Sequence, residues 1–265
     1  MEKINIAAVV VLYNEEIESS KTYNSLLKNS QFPVFVYDNS SLKQKTKGKE
    51  GFTIVFDTSN PGVSKAYNQA WKWAEQNKYT HLLLLDSDST FPENSESKYI
   101  EAVNNYPEKI IIPSMISNKR KISPFYFKFG KSHYGDNISF GKIQLGKIVA
   151  INSGLVVPVN AFRKTGGYNE KLPLDWSDVF FIRKASAVNV EAFHIPLEVG
   201  HGLSEHTVNS LKSTHFRFKT QLKGISLVAL SALEKYQMYF WMALKSIKLS
   251  IRYRSFWFLA NFFKR

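Results

Sequence analysis

The chain has 265 residues, 44% of them hydrophobic, with 35 Lys+Arg against 22 Asp+Glu, six His and no Cys. That length suits one large domain, or one domain with an appendage, and is enough to bury a core; the lack of cysteine excludes a disulfide framework, a zinc ribbon, an iron–sulfur cluster and a thiol nucleophile, and fits a reducing, cytoplasmic compartment. The formal charge of +13 is uneven: residues 207–265 hold eleven Lys/Arg and a single acid, Glu234, for +10, leaving +3 on residues 1–206. A nucleic-acid groove needs basic residues spread over its surface, so the near-neutral body argues against that partner.

Residues 1–5 lack the basic start of a signal peptide, and the apolar run 6–12, ending at Tyr13-Asn14-Glu15-Glu16, predicts a buried first strand. Residues 15–28 offer helix formers with Ile17, Leu26 and Leu27 as apolar positions. Residues 33–37 predict a second strand, closed by the turn-forming cluster Asp38-Asn39-Ser40-Ser41. A polar, lysine-rich loop or ragged helix over 41–51 then leads to a third strand, 52–56, ending at Asp57. Asn60-Pro61-Gly62 punctuates the chain before a helix over 63–76, with Ala66, Ala70, Trp73 and Ala74 at helical spacing. The fully apolar strand 81–85 stops at Asp86-Ser87-Asp88. Short apolar strands alternating with helices predict an α/β fold with a mostly parallel sheet covered on both faces. In such sheets ligands sit beyond the carboxyl ends of the strands, where Asn14, Asp38, Asp57, Asp86 and Asp88 all fall. Residues 1–115 therefore read as a nucleotide-binding half. Residues 117–146 predict a loop-rich excursion with edge strands. Residues 148–157, which contain Asn152-Ser153-Gly154, predict a strand, followed by a regular segment over 161–167, a helix starting near Pro173 and a strand over 188–195.

Two carboxylates one residue apart, just past four buried leucines, make a compact hard-oxygen site suited to Mg2+ or Mn2+; a plain turn after a strand uses the same residues. Asp38 suits either a base or ribose contact or an ordinary turn, and Asn60-Pro61-Gly62 either a phosphate-facing helix start or a simple junction. Asp175-Trp176-Ser177-Asp178 lies near a helix start, where acids are favoured as caps but also serve as general bases. His201 stands between Gly200 and Gly202, which allow close backbone approach, and its imidazole can complete a metal shell. Asp86-Ser87-Asp88-Ser89-Thr90 also fits the nucleophile loop of haloacid-dehalogenase-type phosphatases, with Asp86 phosphorylated. That loop normally follows the first strand, whereas three strand signals precede it here, and no later Gly-Asp-x-x-x-Asp motif is present.

Taken in order, these residues resemble the family 2 inverting glycosyltransferases of the GT-A (Rossmann-like) fold, most closely their rhamnosyltransferase-like branch. The resemblance covers residues 4–205. It rests on Val9-Val10-Val11-Leu12-Tyr13-Asn14, Val36-Tyr37-Asp38-Asn39-Ser40-Ser41, Asn60-Pro61-Gly62-Val63-Ser64-Lys65-Ala66-Tyr67-Asn68, Leu85-Asp86-Ser87-Asp88-Ser89, Asn152-Ser153-Gly154, Gly166-Gly167-Tyr168-Asn169-Glu170, Asp175-Trp176-Ser177-Asp178 and His201. It departs from the family pattern at Asn169, where Asp is usual, and after Asp178, where a further acid is missing and Lys184 replaces the commoner Arg. The resemblance implies a nucleotide-diphospho-sugar donor, dTDP- or UDP-linked, held by Tyr13, Asn14, Asp38, Asn60, Gly62, Lys65, Asn68, Asp86 and Ser87. It implies a divalent metal at Asp86, Asp88 and His201, and an acceptor side built from Asn152, Ser153, Gly154 and Trp176. It further implies that the base is Asp178 or Asp175, with Asp178 favoured, and that the acceptor is a glycan or lipid-linked saccharide of the cell surface.

Residues 1–206 thus form the expected catalytic domain, with 116–206 as its acceptor-side half, and 207–265 a basic, aromatic, amphipathic helical appendage. Its uncharged stretches do not exceed ten residues, too short for the about 20 that a membrane span needs. Lys245, Lys248 and Arg252 share one helical face, with Leu244, Ile247 and Ile251 on the next and Trp241, Trp257, Phe258, Phe262 and Phe263 alongside. The pattern predicts a helix lying on an anionic membrane surface, placing the protein on the inner face of the cell membrane; packing on the body or in a homodimer is the alternative.

Overall fold

The computed structural model describes residues 4–44, 50–135, 138–202 and 210–264. Its strands are β1 (Ile6–Leu12), β2 (Val34–Asp38), β3 (Phe52–Phe56), β4 (His81–Asp86), β5 (Ser89–Thr90), β6 (Ile110–Ser117), β7 (Arg120–Ser123), β8 (Phe125–Lys128), β9 (Lys131–His133), β10 (Gly141–Ile143), β11 (Ile148–Val149), β12 (Val156–Pro158) and β13 (Ala192–His201). Its α-helices are α1 (Val63–Gln76), α2 (Ser95–Asn105), α3 (Val159–Thr165), α4 (Ser177–Ala187), α5 (Leu211–Val228), α6 (Ala232–Tyr253) and α7 (Trp257–Phe263). The main sheet runs β10-β13-β6-β12-β4-β1-β2-β3, with β5 on β13 and β7 on β6, and β11-β8-β9 form a small second sheet. Strands β4, β1, β2 and β3 are mutually parallel, as are β6 and β13; β12 runs antiparallel between β4 and β6.

Why the central strands read as unbroken apolar runs is plain from their two faces. Successive side chains of a strand point to opposite sides, and in β1 Ala7, Val9 and Val11 enter one core while Ile6, Ala8, Val10 and Leu12 enter the other. Helix α1 covers the first face with Ala66, Tyr67, Ala70 and Ala74, and α2 the second with Tyr99, Ala102 and Val103. The expected strands at 6–12 and 52–56 and the helix at 63–76 coincide with β1, β3 and α1.

Four expectations need correction. Residues 15–28 do not form one helix: a 3-10 turn, Ile17–Ser19, is followed by a π-helical turn, Tyr23–Leu27. Between them the Thr22 N–H donates to Ser87 O at 3.2 Å, so the segment is pinned to the loop after β4 instead of continuing its own ladder. The run 148–157 is broken into β11 and β12 by a turn in which Leu155 N donates to Asn152 O and Gly154 N to Leu84 O. Helix α4 begins at Ser177, well after Pro173, because Trp176 adopts a left-handed φ of 68° that no helix interior accepts. The last strand runs 192–201 and not 188–195, since Val188 caps α4 and Asn189 turns with φ 57°. Within 117–146 the strands β7 to β10 fit the expected excursion; residues 45–49 of the expected loop over 41–51 lie outside the described residues.

Helices α5, α6 and α7 do not stand apart from the body. Phe218, Ile225, Val228, Met238, Met242, Leu249 and Phe258 join the same core as Phe125, Phe162 and Phe181.

Candidate active site

The carboxyl ends of β1 and β4, the turn before α4 and one side of α5 and α6 enclose a cleft of about 1150 Å³. Its backbone is strained at three lining residues, Asn14 (φ 53°), Asn60 (φ 45°) and Trp176 (φ 68°). Asparagine tolerates this region, whereas tryptophan does so only when its surroundings hold it there. The Trp176 indole N–H donates to Gln221 O of α5 at 3.1 Å, and its ring meets Phe127 edge-on.

On one wall stand Asp86, Asp88 and His201, whose ligating atoms lie within 4.8 Å of one another. Antiparallel pairing of β5 with β13 sets His201 opposite Ser89, and His201 Nδ1 lies 2.9 Å from Ser89 Oγ and 3.4 Å from Asp88 Oδ1. Asp86 is held by its own N–H donating to Ser153 Oγ at 3.1 Å and by the Tyr67 hydroxyl at 3.3 Å. Burial, offset in part by the nearby imidazole and reinforced by the charge of Asp86, pushes the Asp88 carboxyl up to about 6. The Asp88 Oδ1 atom is buried with no hydrogen-bond partner, and a Cβ at residue 202 would stand 2.8 Å from Asp88 Oδ2, so Gly202 keeps this space open. Two carboxylates, one of them with a buried oxygen that no hydrogen bond satisfies, and an imidazole are a donor set that fits Mg2+ or Mn2+.

The same cleft is lined by Asp175 and Asp178. Asp175 accepts from Arg217 of α5 at 2.6 Å, an ion pair that is mostly buried. Asp178, in the first turn of α4, accepts the Val179 N–H at 2.7 Å and has no cationic partner among the described residues. Burial, with the charges of Asp175 and Asp86, raises its pKa to about 6. A carboxylate poised near neutrality at the edge of a cleft is equipped for proton abstraction.

Of the remaining sequence candidates, Tyr13, Asn14, Asn60, Gly62, Ser87 and Asn152 line the cleft. Five do not. Asp38 spends its oxygens on its own turn, accepting from Ser40 N at 2.9 Å and Gln44 N at 3.5 Å. Lys65 pairs with Asp57 at 3.1 Å, and Asn68 bonds the backbone of Tyr168 in both directions and Glu170. Ser153 is buried beneath Asp86, and Gly154 (φ 85°) is packed against Pro113, Met115 and Tyr99. Two contributions were not foreseen. Asn39, next to Asp38, lines the cleft with a buried Oδ1 that has no partner, and only its place in the turn hinted at this. Arg217, Trp241 and Lys245 bring the basic segment into the cleft wall, which charge counting along the chain could not show.

The fold is that of the GT-A glycosyltransferases. Residues 7–164 match glycosyl transferase family 2, and the chain belongs to that family. It is 23% identical over 221 residues to the dTDP-rhamnosyl transferase RfbF of Shigella flexneri, covering 77% of this chain and 71% of that protein. Among solved structures, TarS of S. aureus superimposes with a TM-score of 0.56 at 17% identity, over 92% of this chain and 43% of TarS. GalNAc-T7, solved with UDP, GalNAc and Mn2+, does so with a TM-score of 0.64 at 12% identity, over 92% of this chain and 51% of its own. The chain thus spans about half the length of these two solved proteins, and at such identities the likeness is one of fold. Family membership sets aside the phosphatase reading of Asp86 and the reading of the chain as a non-catalytic binder.

Proposed function

We propose that this protein moves one sugar, with inversion, from a nucleoside-diphosphate donor to a hydroxyl of a glycan or lipid-linked saccharide. The observation that carries the reading is that the Asp86–Asp88–His201 cluster and an unpaired, neutral-prone Asp178 line one cleft. Asp178 takes the acceptor's hydroxyl proton as the oxygen attacks the anomeric carbon. The bond from that carbon to the donor's phosphate oxygen breaks, and its electron pair leaves with the nucleoside diphosphate. Asp86, Asp88 and His201 would hold a divalent ion, whose positive charge would offset that of the leaving diphosphate. Asp175, neutralised by Arg217, fixes the turn that carries Trp176 and Asp178, and so is the weaker candidate for the base.

dTDP-rhamnose is the first donor to test, because the Shigella relative is a dTDP-rhamnosyl transferase; UDP-hexoses follow, because GalNAc-T7 was solved with UDP. Tyr13, exposed on the cleft lip, and Asn39 are suited to the nucleoside. The experiment measures nucleoside-diphosphate release across dTDP- and UDP-sugars with Mg2+ or Mn2+ supplied. Turnover of one sugar class, lost in Asp88→Ala, is expected. Phosphate release from simple phosphomonoesters without nucleotide-sugar turnover would refute the reading.

A further inference from the structure

Helix α6 buries one face and leaves the opposite one bare. Met238, Met242, Ser246 and Leu249 turn into the protein, whereas Leu233, Tyr236, Phe240, Leu244, Ile247 and Ile251 recur every three or four residues on the far side and are 43% to 75% exposed. At 1.5 Å per residue the bare stripe runs about 27 Å. Soluble monomers seldom leave a contiguous apolar strip of that extent uncovered. By the same helical repeat, Trp241, Lys245, Lys248 and Arg252 fall on one flank between the two faces, and Trp241 and Lys245 line the cleft from there.

The charge decides what covers the stripe. Residues 207–265 carry +10, and their one acid, Glu234, is bound by Arg183. A second copy of the chain would bring two cationic faces together, whereas an anionic lipid surface meets both the apolar stripe and its basic flank. No helix among the described residues is long and apolar enough to cross a membrane. We infer that α6 lies in the plane of an anionic bilayer, its six-residue stripe among the upper acyl chains and its basic flank on the headgroups, so that the cleft opens beside the lipid surface. This inference stands on exposure and charge and is independent of the transfer chemistry.

The test is cosedimentation of the full chain with vesicles of phosphatidylcholine alone or mixed with phosphatidylglycerol. Binding to the mixed vesicles that weakens with added salt is expected. Phe240→Glu/Ile247→Glu, both at exposed positions, should bind the mixed vesicles at least about tenfold more weakly, because each introduces a charge into the apolar boundary, with an unchanged thermal midpoint showing that the fold survives. Lys248→Glu/Arg252→Glu should remove the preference for anionic lipid. Three results would overturn the inference: no binding to the mixed vesicles, undiminished binding by the stripe variant, or a concentration-dependent dimer that the stripe variant abolishes.

Discussion

Asp178 carries two opposed demands. Its raised pKa of about 6, caused first by burial and then by the charges of Asp175 and Asp86, means that the fold prefers its protonated form. The proposed chemistry needs the ionised form, so turnover should fall as the pH drops through about 6, which a pH profile of kcat/KM at saturating metal measures. For stability the sign is reversed. A carboxyl whose folded pKa exceeds its unfolded value of 3.8 stabilises the fold when protonated, and that contribution is lost as the pH rises through about 6. Asp178→Asn should therefore lower transfer by roughly 10²–10⁴-fold and leave nucleotide binding intact. At neutral pH it should stabilise the protein by less than the roughly 3 kcal/mol that two pKa units carry, because the side chain borders an open cleft. Retained transfer, or a lowered midpoint in thermal unfolding, would count against this assignment. The choice between Asp175 and Asp178 was open in the sequence for a physical reason: what separates them is Arg217, forty-two residues further along the chain than Asp175.

At the scale of elements, the entry to α1 is locked to the turn that carries the acidic pair. Val63 N donates to Pro173 O at 2.7 Å, and the Ser64 hydroxyl to Leu172 O at 2.5 Å. Gly62 makes this approach possible: its φ is 91°, and a Cβ there would lie 2.0 Å from Pro173 O. Gly62→Ala should cost at least about 2 kcal/mol, measured by urea unfolding, and should depress transfer because the 173–178 turn must shift. Elements defined by their own apolar pattern, such as β1, β3 and α1, were legible in the sequence. Those shaped by distant partners were not. The 15–28 segment is diverted where Thr22 bonds the loop after β4, and the 148–157 run breaks where Gly154 packs under Pro113 and Tyr99. The site divides along the same line. Asp86, Asp88 and His201 stand at or just past strand ends and converge as the resemblance implied, while Asp38 is drawn into its own turn, Lys65 to Asp57 and Asn68 to Tyr168, 100 residues further along, none of which residue type alone reveals.

For the whole molecule, the split of charge into a near-neutral body and a +10 segment does not mark a structural boundary. Phe218, Leu222, Ile225, Val228, Met238, Met242, Leu249 and Phe258 are buried with the body's Phe125, Phe162 and Phe181 in one core. Burying a large apolar side chain contributes about 1.5–3 kcal/mol, so removing these eight would strip the shared core of a large part of its cover. Polar ties run the same way. Arg183, itself buried in α4, donates to Val228 O and, through two nitrogens, to Glu234; stripped of that carboxylate it would be a buried unpaired charge costing about 3–5 kcal/mol. The cleft depends on the segment as well, through the Arg217–Asp175 pair and the Trp176–Gln221 bond. A chain ending at residue 206 should therefore lose cooperative unfolding and near-ultraviolet circular dichroism along with transfer. Were the last 59 residues only an attachment, the same fragment would remain soluble, unfold in one cooperative step and bind nucleotide, so denaturant titration of the fragment separates the two outcomes directly.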